Sequence, residues 1–214
     1  MIQSDKFDSS NMNIKKLGNS VLIFTIKRLI EVIGIFIFCL GILLFLALVS
    51  YSPTDPNFIF PKNAVINNLL GFQGSYISDL FIQSAGLITY LIPVTYIFTG
   101  ANIFKKKEIF LLIENTFFII LYSLVGSLFL SYYYKNTFSL YINGNGGFIG
   151  NFFNETFLKN IIASNENVFY YIFIILTIIF FLVSINFNIK NFIQLIKNVI
   201  QFLLKKENKN YTNK

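Results

Sequence analysis

The sequence predicts an all-α integral membrane protein: a four-transmembrane-helix bundle with N and C termini cytoplasmic, plus short interfacial amphipathic helices. Three observations carry that expectation. Only 13% of the 214 residues are charged and 55% are hydrophobic, whereas a soluble domain carries about a quarter charged residues. Four apolar stretches with little or no charge are each long enough to cross a hydrocarbon core of ~30 Å. Finally, lysine and arginine are partitioned. Fourteen fall in residues 1–28, 105–107 and 190–214, and three in the segments between. The positive-inside bias puts the first group in the cytoplasm.

Residues 1–28 form a basic cytoplasmic tail, and the polar run 1–20 reads as mobile. The first span, 29–50, follows Lys27 and Arg28; from Val32 to Thr54 there are 23 positions without charge. It is too long for a signal peptide and lacks a small-x-small cleavage pattern before Ser50. Pro53 and Pro56 stop it, because proline lacks the N–H and restricts the preceding residue. Ser52, Thr54 and Asp55 supply turn acceptors. Gly34 and Gly41, one heptad apart, are a candidate packing seam, within the subunit or between subunits.

Val65, Ile66, Leu69, Leu70 and Phe72 recur at helical spacing and predict a short surface helix, broken by Gly71 and Gly74. The second span, 80–104, holds Pro93, where a kink is expected. A charged turn at Lys105–Glu108 leads to the third span, 109–134. In the connection 135–167, NGNGGFIG reads as a flexible loop. Phe148, Ile149, Phe152, Phe153 and Phe157 then predict an interfacial helix opposite Asn151, Asn154 and Glu155. The fourth span is 167–189. Residues 190–214 begin as a basic amphipathic helix, with Phe192, Ile196, Val199 and Leu203 on one face, and end as a linker-like run. Tyr51, Tyr76, Tyr132–Tyr134, Tyr170 and Tyr171 gather at the outer interface, the belt position that tryptophan, absent here, often takes.

Chemistry-bearing residues are few. There is no histidine, and Cys39 stands alone, so neither a disulfide within the chain nor a His/Cys metal site is expected. Glu31 follows Lys27 and Arg28 at ion-pair spacing, and Glu114 lies within reach of Lys107 or of a neighbour's Arg28 at the same edge. These acids are expected to pair structurally; the competing expectation is transport through the bundle. No G-x-x-x-x-G-K-[ST] sequence occurs, and the glycine run 144–150 is not G-x-G-x-x-G. No catalytic, cofactor or metal site is expected, and the basic clusters beside spans suit lipid rather than direct nucleic-acid contact.

A basic start, an apolar span and then SYSPTDPNF resemble the N-terminal membrane domain of the FtsK/SpoIIIE DNA translocases, in which an S-Y-x-x-x-D-P-like turn follows the first span. NLLGFQG (68–74), Asp79-Leu80, Tyr90-Leu91-Ile92-Pro93 and Gly146-Gly147-Phe148-Ile149-Gly150 match further, over roughly residues 25–190. Where the family carries more glycines entering the last span, this chain has Ala163–Asn167. The resemblance implies a non-enzymatic membrane anchor and interaction domain. It would serve an ATP-driven, hexameric DNA pump at the division septum of the bacterial inner membrane, in cell division and chromosome segregation. It implies other membrane division proteins as partners, ATP and magnesium only in a motor domain absent from this chain, and Ser52, Pro53, Asp55 and Pro56 as a turn or contact surface. The alternatives are a small transporter or channel subunit, or an assembly factor for another membrane complex. Broken spans at matching positions would favour the transporter, and only Pro93 interrupts a span.

Overall fold

The computed structural model describes residues 2–56, 65–135 and 142–188, with isolated positions from 190 to 201. Helix α1 (Ile2–Val49) is followed by α2 (Gly71–Ala85), a 3-10 segment (Gly86–Tyr90) and α3 (Leu91–Lys106). Then come α4 (Phe110–Tyr133), α5 (Gly147–Asn154), α6 (Leu158–Ser164) and α7 (Glu166–Ser184). Four helical runs are long and apolar enough to cross a membrane: Gly18–Val49, Gly71–Lys106, Phe110–Tyr133 and Glu166–Ser184. The all-helical four-span architecture therefore stands. Below, the end bearing Tyr51 is called outer and the lysine-rich end inner, following the charge bias.

An apolar core around Ile92, Ile119 and Tyr122 is joined by buried small and polar residues, and the outer faces are apolar as well. Thr89, Thr95, Thr99, Ser127 and Asn115 are buried, while Phe110, Ile113 and Phe117 of α4 and Val168, Tyr171 and Ile175 of α7 are exposed. Lipid tails are as apolar as leucine, so exposed apolar faces cost nothing in a bilayer, and helices associate through small and polar residues. The α1–α3 pair shows this most clearly. A Cβ placed at Gly34 would lie 2.8 Å from the Phe104 nitrogen, and one at Gly100 would lie 2.5 Å from the Phe38 nitrogen. The two backbones meet because both positions lack a side chain. Gly41 makes the third such contact, with Ile97. The seam is thus within one subunit.

Several local expectations change. No surface helix begins at Val65: helix starts only at Gly71, and Gly71 and Gly74 sit in its first turn instead of breaking it. The second span is broken at Gly86–Tyr90 rather than kinked at Pro93. Pro93 falls in the first turn of α3, where proline is tolerated, directly after the 3-10 segment. The backbone of α1 continues as helix back to Ile2, through the stretch expected to be mobile. The fourth span ends at Ser184 rather than 189, and Asn186 turns with φ 50°. Most of the expected amphipathic tail helix, including Phe192, Ile196, Val199 and Leu203, lies outside the described residues, as does Lys62.

Candidate interaction site at the outer junction

α1 leaves its last carbonyls without intrahelical partners, as every helix does. Here a side chain from a distant residue takes them. Buried Asn68 donates through Nδ2 to the Ala47 carbonyl at 2.8 Å and to the Ser50 carbonyl at 3.3 Å. Its Oδ1 accepts the Leu70 N–H at 3.1 Å. The Tyr90 hydroxyl donates to the Leu48 carbonyl at 3.1 Å.

Asn68 is held in turn by Asp55, which is 1% exposed. Oδ1 accepts the backbone N–H of Asn67 at 2.9 Å and its side-chain amide at 3.1 Å, and Oδ2 accepts the Asn68 N–H at 2.9 Å. A carboxylate inside a proline turn thus organises the segment that leads into α2. Pro56 contributes its carbonyl, which accepts the Ser75 hydroxyl at 2.8 Å. Ser52 and Thr54 bond each other at 2.9 Å. Thr54 is exposed and Pro53 half-buried, while Asp55 and Pro56 are buried. The S-P-T-D-P turn is therefore a rigid knot with one displayed edge.

Next to the knot, the Tyr51 hydroxyl donates to Asp79 at 3.2 Å, and Gln83 reaches both at 3.4 Å. Burial, and then the Asp79 charge, push the Tyr51 phenol well above its ordinary range, so it keeps its proton as the donor. Gln83 also contacts Asn143: its Oε1 accepts the Asn143 N–H at 3.3 Å, and its carbonyl accepts the Asn143 amide at 3.2 Å.

The glycine run is no flexible loop. The Asn145 carbonyl accepts the Leu87 N–H at 2.9 Å, and the Asn145 amide donates to the Tyr134 carbonyl. Gly86 and Gly147 take φ of 70° and 64°, a region that favours glycine. A Cβ on Gly147 would stand 2.5 Å from the Gly86 nitrogen. The run thereby docks α5 against α2 and α4. Phe148 and Phe152 of α5 stay exposed and stacked, 6.3 Å apart, as an interfacial helix requires. Asn151 turns inward, accepting the Ser131 hydroxyl at 2.7 Å.

The outer ends of α4 and α7 are clamped by the tyrosines. Tyr132 donates to the Glu166 carboxylate at 2.8 Å, Tyr133 to the Glu166 carbonyl at 2.6 Å, and Tyr134 meets Tyr170 at 2.8 Å.

At the inner end Glu31 joins Arg28 at 2.6 Å and Lys107 at 2.8 Å. Lys107 ends α3 in the left-handed conformation. Because Lys107 is committed to Glu31, it does not meet Glu114, which is exposed on α4 with no ion pair among the described residues.

Between these ends runs an uncharged polar seam. Thr95 meets Ser184 at 3.0 Å and Tyr122 at 3.2 Å. Asn115 donates to Thr99 at 2.8 Å and to Asn186 Oδ1 at 3.2 Å, which also accepts from Asn102 at 3.3 Å. The seam fixes how α7 turns after Ser184. Asn68 entered the sequence reading only inside a matched string, and Asn115 and Asn186 not at all. A polar amide within an apolar span is the signal that marks Asn115 and Asn186; Asn68, between spans, carries no such signal. Among the described residues no cluster of three or more His, Cys, Asp or Glu could hold a metal ion.

Comparison with known proteins gives this geometry its context. A family model described as the 4TM region of DNA translocase FtsK/SpoIIIE matches residues 26–197. DNA translocase FtsK of Rickettsia bellii is 40% identical over 60 residues, 28% of this chain and 8% of that protein. DNA translocase FtsK of Shewanella oneidensis is 33% identical over 116 residues, 53% of this chain and 12% of that protein. For Rickettsia prowazekii the figures are 27% over 111 residues, 50% and 14%. The chain thus spans about one tenth of the length of these curated relatives. No solved structure matches it. With four membrane-capable helical runs and the family match covering residues 26–197, the chain belongs to the family of the 4TM region of DNA translocase FtsK/SpoIIIE.

Proposed function

We propose that this chain is the membrane-anchoring and interaction domain of an FtsK/SpoIIIE-type DNA translocase. It works in cell division and chromosome segregation, seated in the bacterial inner membrane at the septum. The observation that carries the reading is the outer junction. There the S-P-T-D-P turn is held by the buried Asp55 carboxylate while Thr54 stays exposed and Pro53 half-buried, in a chain that matches the family's membrane region. A pre-ordered turn loses little entropy on binding, which suits recognition by another membrane protein. Its partners are then the bilayer, other membrane division proteins and further copies of itself in a hexamer, with no direct contact to nucleic acid.

In this reading the domain itself is non-catalytic, which is supported by a seam in which Thr95 bonds Ser184 and Asn115 bonds Thr99 and by a sequence without a phosphate-binding loop. ATP and magnesium belong to the motor of such a translocase.

The test is a fluorescent fusion of the chain in dividing bacteria, compared with Pro53→Ala/Pro56→Ala. The wild-type fusion is expected in a band at mid-cell. The double variant should insert equally well and spread around the envelope. Uniform envelope fluorescence from the wild type would remove the septal reading, and a mid-cell band from the variant would remove the turn from it.

A further inference from the structure

A cavity of about 680 Å³ in the bundle lies apart from both the displayed turn and the polar seam. α1 and α4 each pack on α3, and between them runs a groove with Ile37, Leu40 and Leu43 on one wall, Leu112 on the other, and Tyr96 of α3 also lining it. No charged residue lines it. Leu40 and Leu43 are 44% and 47% exposed, so the groove opens sideways at span depth. Ile37 and Ala47, both in its lining, lie ten residues apart, which is about 15 Å along a helix and roughly half the hydrocarbon core.

The outer end is closed by the start of α2, where Leu70 and Gly74 join the lining. That roof is built by the junction: Asn68 ties Ala47 to the Leu70 N–H. A Cβ on Gly74 would come within 2.6 Å of the Leu70 Cβ. Gln73, exposed on the same turn, stands at the rim and brings an amide to the lining.

The geometry points to a binding site for one acyl chain of a bilayer phospholipid, its ester region beside Gln73. A void at this depth is filled by whatever solvates the protein, and that is lipid. Left empty, its walls forfeit their dispersion contacts. A partner's transmembrane helix would have to run past both ends of a groove only ~15 Å long, and the start of α2 closes the outer end, whereas a flexible chain can end there. The cavity holds about 680 Å³, within the usual range for small-molecule sites. The uncharged walls exclude a headgroup from the groove itself, leaving it at the rim.

Native mass spectrometry of the full chain in mild detergent, with one equivalent of phosphatidylglycerol or phosphatidylethanolamine, tests this. The wild type should retain a single phospholipid adduct. Leu43→Trp, which fills the groove, should reduce that adduct at least fivefold, while Ile175→Trp on the lipid-facing side of α7 should leave it unchanged. A second measurement uses the absence of tryptophan from the chain. Tyr96→Trp provides a single fluorophore in the groove, and one equivalent of lipid brominated on the acyl chain should quench it by half or more. No adduct on the wild type, equal adducts on wild type and Leu43→Trp, or unquenched fluorescence from the Tyr96→Trp variant would each overturn the assignment. Loss of a dimer signal in Leu43→Trp, with lipid adducts unchanged, would overturn it in favour of a second copy.

Discussion

Replacing Asp55 with asparagine keeps the shape of the side chain but turns one of its two acceptor oxygens into a donor. In the native turn both oxygens face donors: Oδ1 takes the N–H and the amide of Asn67, and Oδ2 takes the N–H of Asn68. Whichever way the new amide sits, at least one N–H loses a charged acceptor and meets another donor. Asn67 is exposed, so water can replace what it loses; the Asn68 bond is buried, so nothing replaces it. A hydrogen bond to a charged group contributes about 1.5–3 kcal/mol. By that figure the 67–70 segment should open about 10- to 150-fold more often. The assay is hydrogen–deuterium exchange of the chain in nanodiscs. Amides of residues 67–71 are expected to exchange faster by that factor, while those in the middle of α4 stay at the wild-type rate. Unchanged exchange at 67–71 would show that Asp55 does not hold the junction. Equal acceleration throughout would show that the bundle and the junction are one cooperative unit.

Other outcomes follow from the same contacts. Gly100→Ala puts a Cβ against the Phe38 backbone and should destabilise the bundle by about 1–3 kcal/mol in thermal unfolding in detergent; Gly18→Ala, with nothing within 4 Å, should be silent. Asn186→Ala removes the shared acceptor of Asn102 and Asn115 and imposes a left-handed backbone on a residue poorly suited to it. A cysteine placed at Asn188, after the turn, should then show a broader distance distribution to α4 by spin labelling. Glu31→Gln with Glu114→Gln should leave insertion and mid-cell fluorescence unchanged, with proteoliposome ion flux at background in both proteins. Reproducible wild-type flux abolished by the double substitution would promote a transporter.

The four spans were legible because crossing a bilayer is a demand on length and charge, which composition meets almost alone. What composition missed was where helices pause. Pro93 predicts a kink, yet proline is tolerated in the first turn of a helix; the irregular backbone begins at Gly86, whose positive φ goes with the close contact to Asn145. Gly144–Gly150 read as flexible because glycine is permissive in isolation, and only the neighbouring α2 and α4 reveal that the missing side chains are what lets α5 dock. Asp55 read as a turn residue and was one, but its partners Asn67 and Asn68 are separated from it by a segment whose path no local rule dictates. Glu31 was expected beside Arg28 from helical spacing, whereas its bond to Lys107 depends on how α3 returns to α1.

Which side of the membrane shows the proline turn, and which the lysines, is measured most directly by cysteine accessibility. In a Cys39→Ser background, Thr54→Cys and Lys106→Cys both place a thiol at an exposed position, whereas the buried Asn145 would be a poor reporter. With an impermeant maleimide on intact cells of an expressing bacterium stripped of its outer membrane, Thr54→Cys should label fully. Lys106→Cys should label only after the membrane is permeabilised. Labelling at 106 in intact cells, with 54 protected until permeabilisation, would invert the bundle and take the junction away from any partner outside the membrane.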